Sequence, residues 1–431
     1  MRSLEWLDIV TPTDFSSTPG IRAAIASETI VGGGLAHYTE DLDKALRNYA
    51  RADQEVVGVP FISPLRNFRQ INDSQLRRLL RKSKLLSFGV NTFRRLSKPE
   101  QWPQAQAWTE RWHAADSDIV AIVPHVVVDD QGKLDAYYAT IARRAFVLVI
   151  HDLHALHFPE QWRETDVQLM RKRFQFLAEH AKQIIVHNEF TAGDVSEKFH
   201  VDRERISIVL LPSFFSEEAF RSSIESDDAN LTALDIARPF ALWASSSTYS
   251  HKNHEQLLYA WRDLVDRGHS IQLVCTGSKA PRWNEVWSLI QKLNLVNLVR
   301  FTGTVSDAAL AAILRNAHLA ICPTLFEGGG PGPAAEAMMA GIPVAVSNIP
   351  QCRQLFNNRT DLCSFFDPYS PRSIADAVAE IMVDNEAARR RADFARVEYP
   401  RMRTWQGAAT QYWQAVEEAG KARDLELKGK S

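Results

Sequence analysis

From about residue 239 onward the chain alternates two kinds of segment, with a regularity that leaves few folds open. Short apolar runs occupy 239–244, 271–276, 299–302, 319–323, 343–346 and 362–366. Helix-period patterns fill the intervals at 254–266, 283–293, 308–316, 333–340 and 371–383. A strand apolar on both sides belongs inside a parallel sheet, because the crossover helices cover both faces. The spacing therefore predicts a doubly wound α/β domain. Ser306 stands just before the third of these helices and suits its N-cap.

The first half shows the same elements less regularly, with candidate strands at 7–10, 55–59, 85–88, 119–123, 146–150 and 183–186. A chain of 431 residues is longer than one ordinary core supports, so two domains are expected. We place them at 1–222 and 223–398, with a crossing helix and tail at 399–431. The polar stretch 213–239 reads as their connection. Glu398-Tyr399-Pro400 reads as a helix break, Thr404 to about Lys421 as a last helix, and the rest as a frayed end.

A net charge of −2 argues against a bulk nucleic-acid binder. Cys275, Cys322, Cys352 and Cys363 form no C-x-x-C pair, so free thiols in a reducing compartment are expected. Glu5 and Asp8 interrupt any signal-peptide core, and no apolar run is long enough to span a bilayer. The expected location is cytoplasmic. One segment departs from neutrality. Between Arg66 and Lys98 there are ten basic residues and one acid, with Leu76, Leu79 and Leu80 on one helical face. A basic amphipathic helix suits an anionic membrane surface and equally suits a solvated helix with its leucines on the core.

The densest chemistry lies between Leu325 and Val344. The apolar run ends at Glu327, the glycines Gly328, Gly329 and Gly330 follow, and a short Ala/Met-rich helix carries Glu336. Pro333 suits the first turn of that helix, and Gly341 with Pro343 supplies its stop. A glycine loop opening onto a helix N-terminus is suited to anions, and carboxylates are suited to hydroxyls. Together they point to a phosphorylated, polyhydroxylated ligand. A second junction, running from Trp243 to His254, carries His251 and Lys252, and a lysine there can neutralise a leaving diphosphate. A third is the glycine loop Gly32-Gly33-Gly34 before a helix ending near Tyr49. A fourth is His151, just past the end of an apolar strand, where open α/β sheets bind ligands. The i, i+3, i+6 spacing of His151, His154 and His157 fits neither a zinc ribbon nor a His-Glu-x-x-His helix, so no metal is expected. His154 and His157 are read as loop histidines without a task.

These segments resemble a retaining glycosyltransferase of family 4, with the GT-B architecture of two facing Rossmann-like domains. The likeness covers most of the chain and is strongest from Phe240 to Phe366. The family signature is Glu, seven residues, Glu, with the second acid opening an Ala-Met-Ala-Gly-x-Pro-Val run. Here Glu336-Ala337-Met338-Met339-Ala340-Gly341-Ile342-Pro343-Val344 fits, but eight residues separate the two acids, so the glycine loop is expected to bulge. The resemblance implies that Glu336 binds the ribose and that Glu327 and His151 surround the donor sugar. It also implies that Lys252, His251, Gly328, Gly329, Gly330, Gly33, Gly34 and Gly277 line the donor. His251 stands where the family often has arginine, which would make that half of the diphosphate clamp pH-dependent.

The implied reaction is retaining transfer from a nucleotide-diphospho-sugar, GDP-mannose first. The implied acceptor is a growing polysaccharide or lipid-linked glycan, reached at the inner membrane face. Three other readings stay open. They are a GT-B epimerase or phosphorylase, a nicotinamide dehydrogenase (for which no G-x-G-x-x-G is placed), and a non-catalytic sugar-nucleotide binder.

Overall fold

The computed structural model describes residues 20–26, 34–57, 118–126, 135–213, 220–221, 224–245 and 247–429. The expected strands at 7–10 and 85–88, the loop at Gly32 and Gly33, and the basic segment between Arg66 and Lys98 lie outside these residues.

Two six-stranded parallel sheets organise the described chain. The first contains β1 (Ile21–Ile25), β2 (Gln54–Val56), β3 (Val120–Val123), β4 (Phe146–Val149), β5 (Gln183–Val186) and β6 (Ile206–Ile208), in the order β2-β1-β3-β4-β5-β6. Its strands alternate faces in the period-two manner of an extended chain. Phe146 and Leu148 of β4 enter one apolar cluster, with Tyr137, Tyr138, Phe174 and Leu177. Val147 and Val149 enter the other, with Tyr38, Leu42, Tyr412 and Trp413. The first face is covered by α2 (Asp135–Ile141), α3 (Glu164–His180) and α4 (Glu189–Phe199), and the second by α1 (Gly34–Asn48) and the last helix of the chain.

The second sheet contains β7 (Phe240–Trp243), β8 (Gln272–Thr276), β9 (Val299–Gly303), β10 (Leu319–Cys322), β11 (Val344–Ser347) and β12 (Ser364–Phe366). Its order, β12-β11-β10-β7-β8-β9, reverses direction between β7 and β10. The crevice outside the carboxyl ends at such a reversal is where open α/β sheets bind ligands. The associated helices are α5 (Asp227–Ala233), α6 (His254–Asp266), α7 (Trp283–Lys292), α8 (Asp307–Asn316), α9 (Gly332–Met339), α10 (Pro350–Leu355), α11 (Pro371–Val383), α12 (Asn385–Met402) and α13 (Trp405–Gly429). All four cysteines are free thiols buried in this half. Among the described residues no helix is long and apolar enough to cross a membrane.

The Ser306 hydroxyl accepts from Ala309 N–H at 3.3 Å, as an N-cap should. Ser306→Ala should therefore cost about 1 kcal/mol, read as a shift in a denaturant midpoint. The helix α9 ends as its sequence implies. Gly341 takes φ +72°, its N–H reaches Met338 O at 2.9 Å, and Ile342 N–H reaches Ala337 O at 2.9 Å. That pairing is a Schellman close.

Three expectations need correction. The helix α12 runs through Pro400 to Met402. Proline removes one hydrogen bond there, and the buried Tyr399 holds the last turn against the core. The chain turns instead at buried Arg403, whose guanidinium donates to Gln354 O and Leu355 O at 2.7 Å each. The final helix continues to Gly429 rather than fraying at Lys421. It lies on the first sheet with Trp413 buried and its indole N–H on Leu46 O at 3.2 Å, so the expected crossing back does occur. The connection at 213–239 is not all linker. It contains α5, whose Asp227 pairs with Arg315 of α8, with both side chains about nine-tenths buried.

Candidate functional site

The two halves meet where loops leave the carboxyl ends of β4, β5, β7 and β10. On the second-domain wall, the turn Ser250–Lys252 follows β7. Asn253 closes it in the left-handed region at φ 58°, and its amide donates to Pro323 O and Pro368 O at 2.8 Å each. Leu325 N–H reaches His251 O at 2.7 Å, and the Thr324 hydroxyl reaches the same oxygen at 3.2 Å. These bonds lace the β7 turn to the loop after β10 and fix Lys252 against Glu327. The ammonium lies 2.6 Å from Oε1, with side chains only 14% and 15% exposed. Sequence reading assigned both residues to a donor; the structure adds that they hold each other. A cavity of about 550 Å³ opens beside this turn, bordered by Thr248, Tyr249, His254, Arg282, Leu325 and Tyr369.

Glu336 sits on α9, and its carboxylate makes no hydrogen bond or ion pair among the described residues. Burial pushes its carboxyl up to about 7 from the ordinary 4.5. The helix is rich in apolar contacts and offers nothing to offset the desolvation. Gly330 turns the glycine loop at φ +91°, a conformation that glycine adopts without strain. Gly277, just past β8, also has positive φ, but its N–H is already spent on Gly303 O at 2.9 Å.

The glycine loop is pressed against the other domain. A Cβ on Gly328 would lie 2.4 Å from His151 O and 2.5 Å from Asp152 Cβ, and one on Gly329 would lie 2.5 Å from Leu211 Cδ1. Gly328 O accepts from the Asn188 side-chain amide, while Asn188 Oδ1 caps α4 by accepting from Thr191 N–H at 2.7 Å. The preceding side chain, Phe326, is buried among rings of the first domain, with centroids 5.0 Å from His157, 5.9 Å from His154 and Phe158, and 6.0 Å from Phe190.

His151 lies just past β4, as expected from its place after an apolar strand. Its Nε2 faces Pro124 O at 2.8 Å and its Nδ1 faces His187 Nε2 at 2.9 Å. Tyr38 packs edge-on against it at 4.5 Å. Burial lowers the His151 pKa.

Two expectations about histidine change here. His251 is not a titrating half of a clamp. Its ring is buried and bonded to His154 Nε2 at 2.8 Å, and burial, with Lys252 next in weight, holds it well below the usual imidazole range. His154 and His157 are not idle. His154 makes that bond across the domains and is itself pushed down to about 4, first by burial; His157 bonds Asp194. The three rings serve three different partners, which opposes a shared metal. Gln161 adds a cross-domain bond to Ser250, and Glu189 N–H adds one to Gln354 Oε1 at 2.7 Å. Gly34 is the first residue of α1; Gly33 is outside the described chain.

Sequence reasoning passed over Phe326, His154, His187 and Asn188 as site components. Their signal is three-dimensional, because each partner lies far along the chain. Only the position of His187 and Asn188 just past β5 could have marked them.

Residues 238–398 match the family described as Glycosyl transferases group 1. The chain is 24% identical over 332 residues to O-antigen chain mannosyltransferase B of Escherichia coli, covering 73% of this chain and 79% of that one. It is 23% identical over 308 residues to MMP alpha-(1->4)-mannosyltransferase of Mycolicibacterium hassiacum, covering 68% and 70%. Among solved structures, HepE of Anabaena in complex with UDP and glucose superposes with a TM-score of 0.65 at 15% identity, over 92% of this chain and 99% of that one.

Proposed function

We propose that this chain, which has the GT-B fold and whose residues 238–398 match the Glycosyl transferases group 1 family, transfers a hexosyl group from a nucleotide-diphospho-sugar with retention of anomeric configuration. The observation that carries the reading is the shielded Lys252–Glu327 pair at the β7/β10 reversal, with the glycine loop and His151 closing over it.

In this reading Lys252 stabilises the departing diphosphate, assisted by the N–H groups of Gly328, Gly329 and Gly330. Glu327, released from Lys252 as the phosphates take its place, faces the positive charge that develops at the anomeric carbon. His151 contacts the sugar from the opposite wall. Glu336 binds the ribose hydroxyls, and the cavity bordered by Ser250, Asn253 and Leu325 gives the nucleotide room. The interdomain contacts exclude water from the reacting centre. The names of the mannosyltransferase relatives favour mannose, and GDP-mannose is the donor to test first. The acceptor we assign is a growing polysaccharide or lipid-linked glycan at the cytoplasmic membrane face, with the basic segment between Arg66 and Lys98 as the membrane contact. Lys252, the loop amides and the helix dipole would stabilise the leaving diphosphate, and we expect no metal.

The test is nucleoside diphosphate release from GDP-mannose, UDP-glucose and dTDP-rhamnose with lipid-linked saccharide acceptors, with the product anomer read by NMR. Transfer with retention is expected. Release from none of these donors, or an inverted product, would overturn the proposal.

Glu336 gives a pH prediction. A carboxylate accepts two ribose hydroxyls better than a carboxylic acid does, so donor affinity should rise as pH climbs through about 7. The same raised carboxyl makes the free protein lose stability as pH rises from 4.5 to about 7, because the folded state holds the extra proton over that window. Glu336→Gln should flatten both profiles, measured by donor titration and by denaturant unfolding across that range. Unchanged profiles would remove Glu336 from the ribose.

A further inference from the structure

His187 is fully buried, just past β5, with Nδ1 2.8 Å from Val209 O and Nε2 2.9 Å from His151 Nδ1. His151 Nε2 is in turn 2.8 Å from Pro124 O. The two rings thus form a chain closed at both ends by carbonyls, and a carbonyl can only accept. Three contacts need three N–H protons, yet two neutral imidazoles carry one each. In the neutral pair, one contact must set lone pair against lone pair, whichever tautomers are chosen.

We propose that His151 and His187 act as one proton-holding unit that gains a proton when the anionic donor enters the cleft, completing all three hydrogen bonds and placing a shared positive charge beside the glycine loop. The inference rests on the donor site proposed above. The surroundings fit a unit that is neutral when the protein is free. Tyr38 lies edge-on to both rings, at 4.5 and 5.9 Å, with its hydroxyl bonded to Tyr412, and burial keeps both phenols protonated. His125, buried at the end of β3 with neither ring nitrogen bonded among the described residues, is also neutral. Among the described residues, Asp152 is the charged group that acts on His151, in the direction that favours protonation. Burial lowers His151 and takes His187 down to about 3, so an incoming anion is needed to charge the pair. The loop that would bring it lies in contact: a Cβ on Gly328 would meet His151 O, and one on Gly329 would stand 3.8 Å from His187 Cβ. The proton comes from solvent, no covalent bond changes, and His187 is a positioning residue that acts through His151.

Calorimetric titration with GDP-mannose and with UDP-glucose, without acceptor, in buffers of differing ionisation enthalpy counts the protons exchanged on binding. Between about pH 5 and pH 7 the wild type should take up roughly one proton more per donor bound than His187→Gln, whose neutral amide carries two N–H groups and, with the one on neutral His151, needs no added proton. Any exchange at Glu336 is common to both proteins and cancels in the difference. Imidazole ¹⁵N shifts of the wild type should show the pair neutral when free and sharing one charge in the complex, a readout that stands even where the variant fails to fold. Equal proton uptake by the two proteins, or neutral ring shifts for both residues in the complex, overturns the inference while leaving the donor site intact. Failure of either sugar nucleotide to bind overturns the donor assignment, and this inference with it.

Discussion

Lys252→Ala should lower turnover by about 10²–10³-fold, the range for removing a group aimed at developing charge in a dry site. It should also destabilise the free protein, because Glu327 would keep its place without its cation. Breaking a fully buried pair costs about 3–5 kcal/mol, and the residual exposure of both side chains reduces this to roughly 2–3. The informative measurement is the double-mutant cycle with Glu327→Ala. Removing both charges leaves no uncompensated group, so Lys252→Ala/Glu327→Ala should unfold at higher denaturant than Lys252→Ala alone. Additive losses would mean that the 2.6 Å contact carries no coupling. The kinetic halves should separate as well. Glu327→Ala acts on the reacting sugar and should lower kcat with a smaller effect on KM.

The second large effect is expected from a single methyl group. Gly328→Ala places a Cβ 2.4 Å from the His151 carbonyl oxygen, an atom of the opposite backbone that cannot swing aside. The two walls must part by the order of an ångström, and a misplacement of that size costs about 10²-fold in rate. Donor affinity, set mostly by the second domain, should change only a few-fold. Gly332→Ala is the control, since a Cβ there meets nothing within 4 Å. Steady-state kinetics with small-angle scattering should show Gly328→Ala slow and expanded and Gly332→Ala close to wild type. A compact, fully active Gly328→Ala would show that this closure is not the reacting state.

What the sequence makes legible follows from how each element is stabilised. In the second sheet the strands are buried on both faces and the helices are amphipathic, so α6 and α11 agree with the pattern to the residue. The strand β1, Ile-Arg-Ala-Ala-Ile, carries two alanines and an arginine, and β6 has three residues, so neither stands out from loop composition. Pro400 misleads because tertiary packing outweighs one lost helix bond. Within the candidate site, the residue types and their strand-end positions could be read, which singled out Glu327, Glu336, Lys252 and His151 as candidates. The pairings could not. The Lys252–Glu327, His154–His251 and Asn188–Gly328 contacts join residues far apart in the chain, and no local spacing encodes them.

Phe326 has a consequence that concerns time rather than structure. It is seated among four rings of the other domain, and the next residue is the glutamate assigned to the reacting sugar. One peptide bond therefore ties the anchor of the closed state to the chemistry. Opening the cleft withdraws Phe326 and must carry Glu327 away in the same movement. In the proposed reaction a product molecule would leave only when the reaction centre is dismantled, and each new donor would meet a centre that must be rebuilt. Gate and reaction centre thus share a single clock, and a substitution that quickens one resets the other.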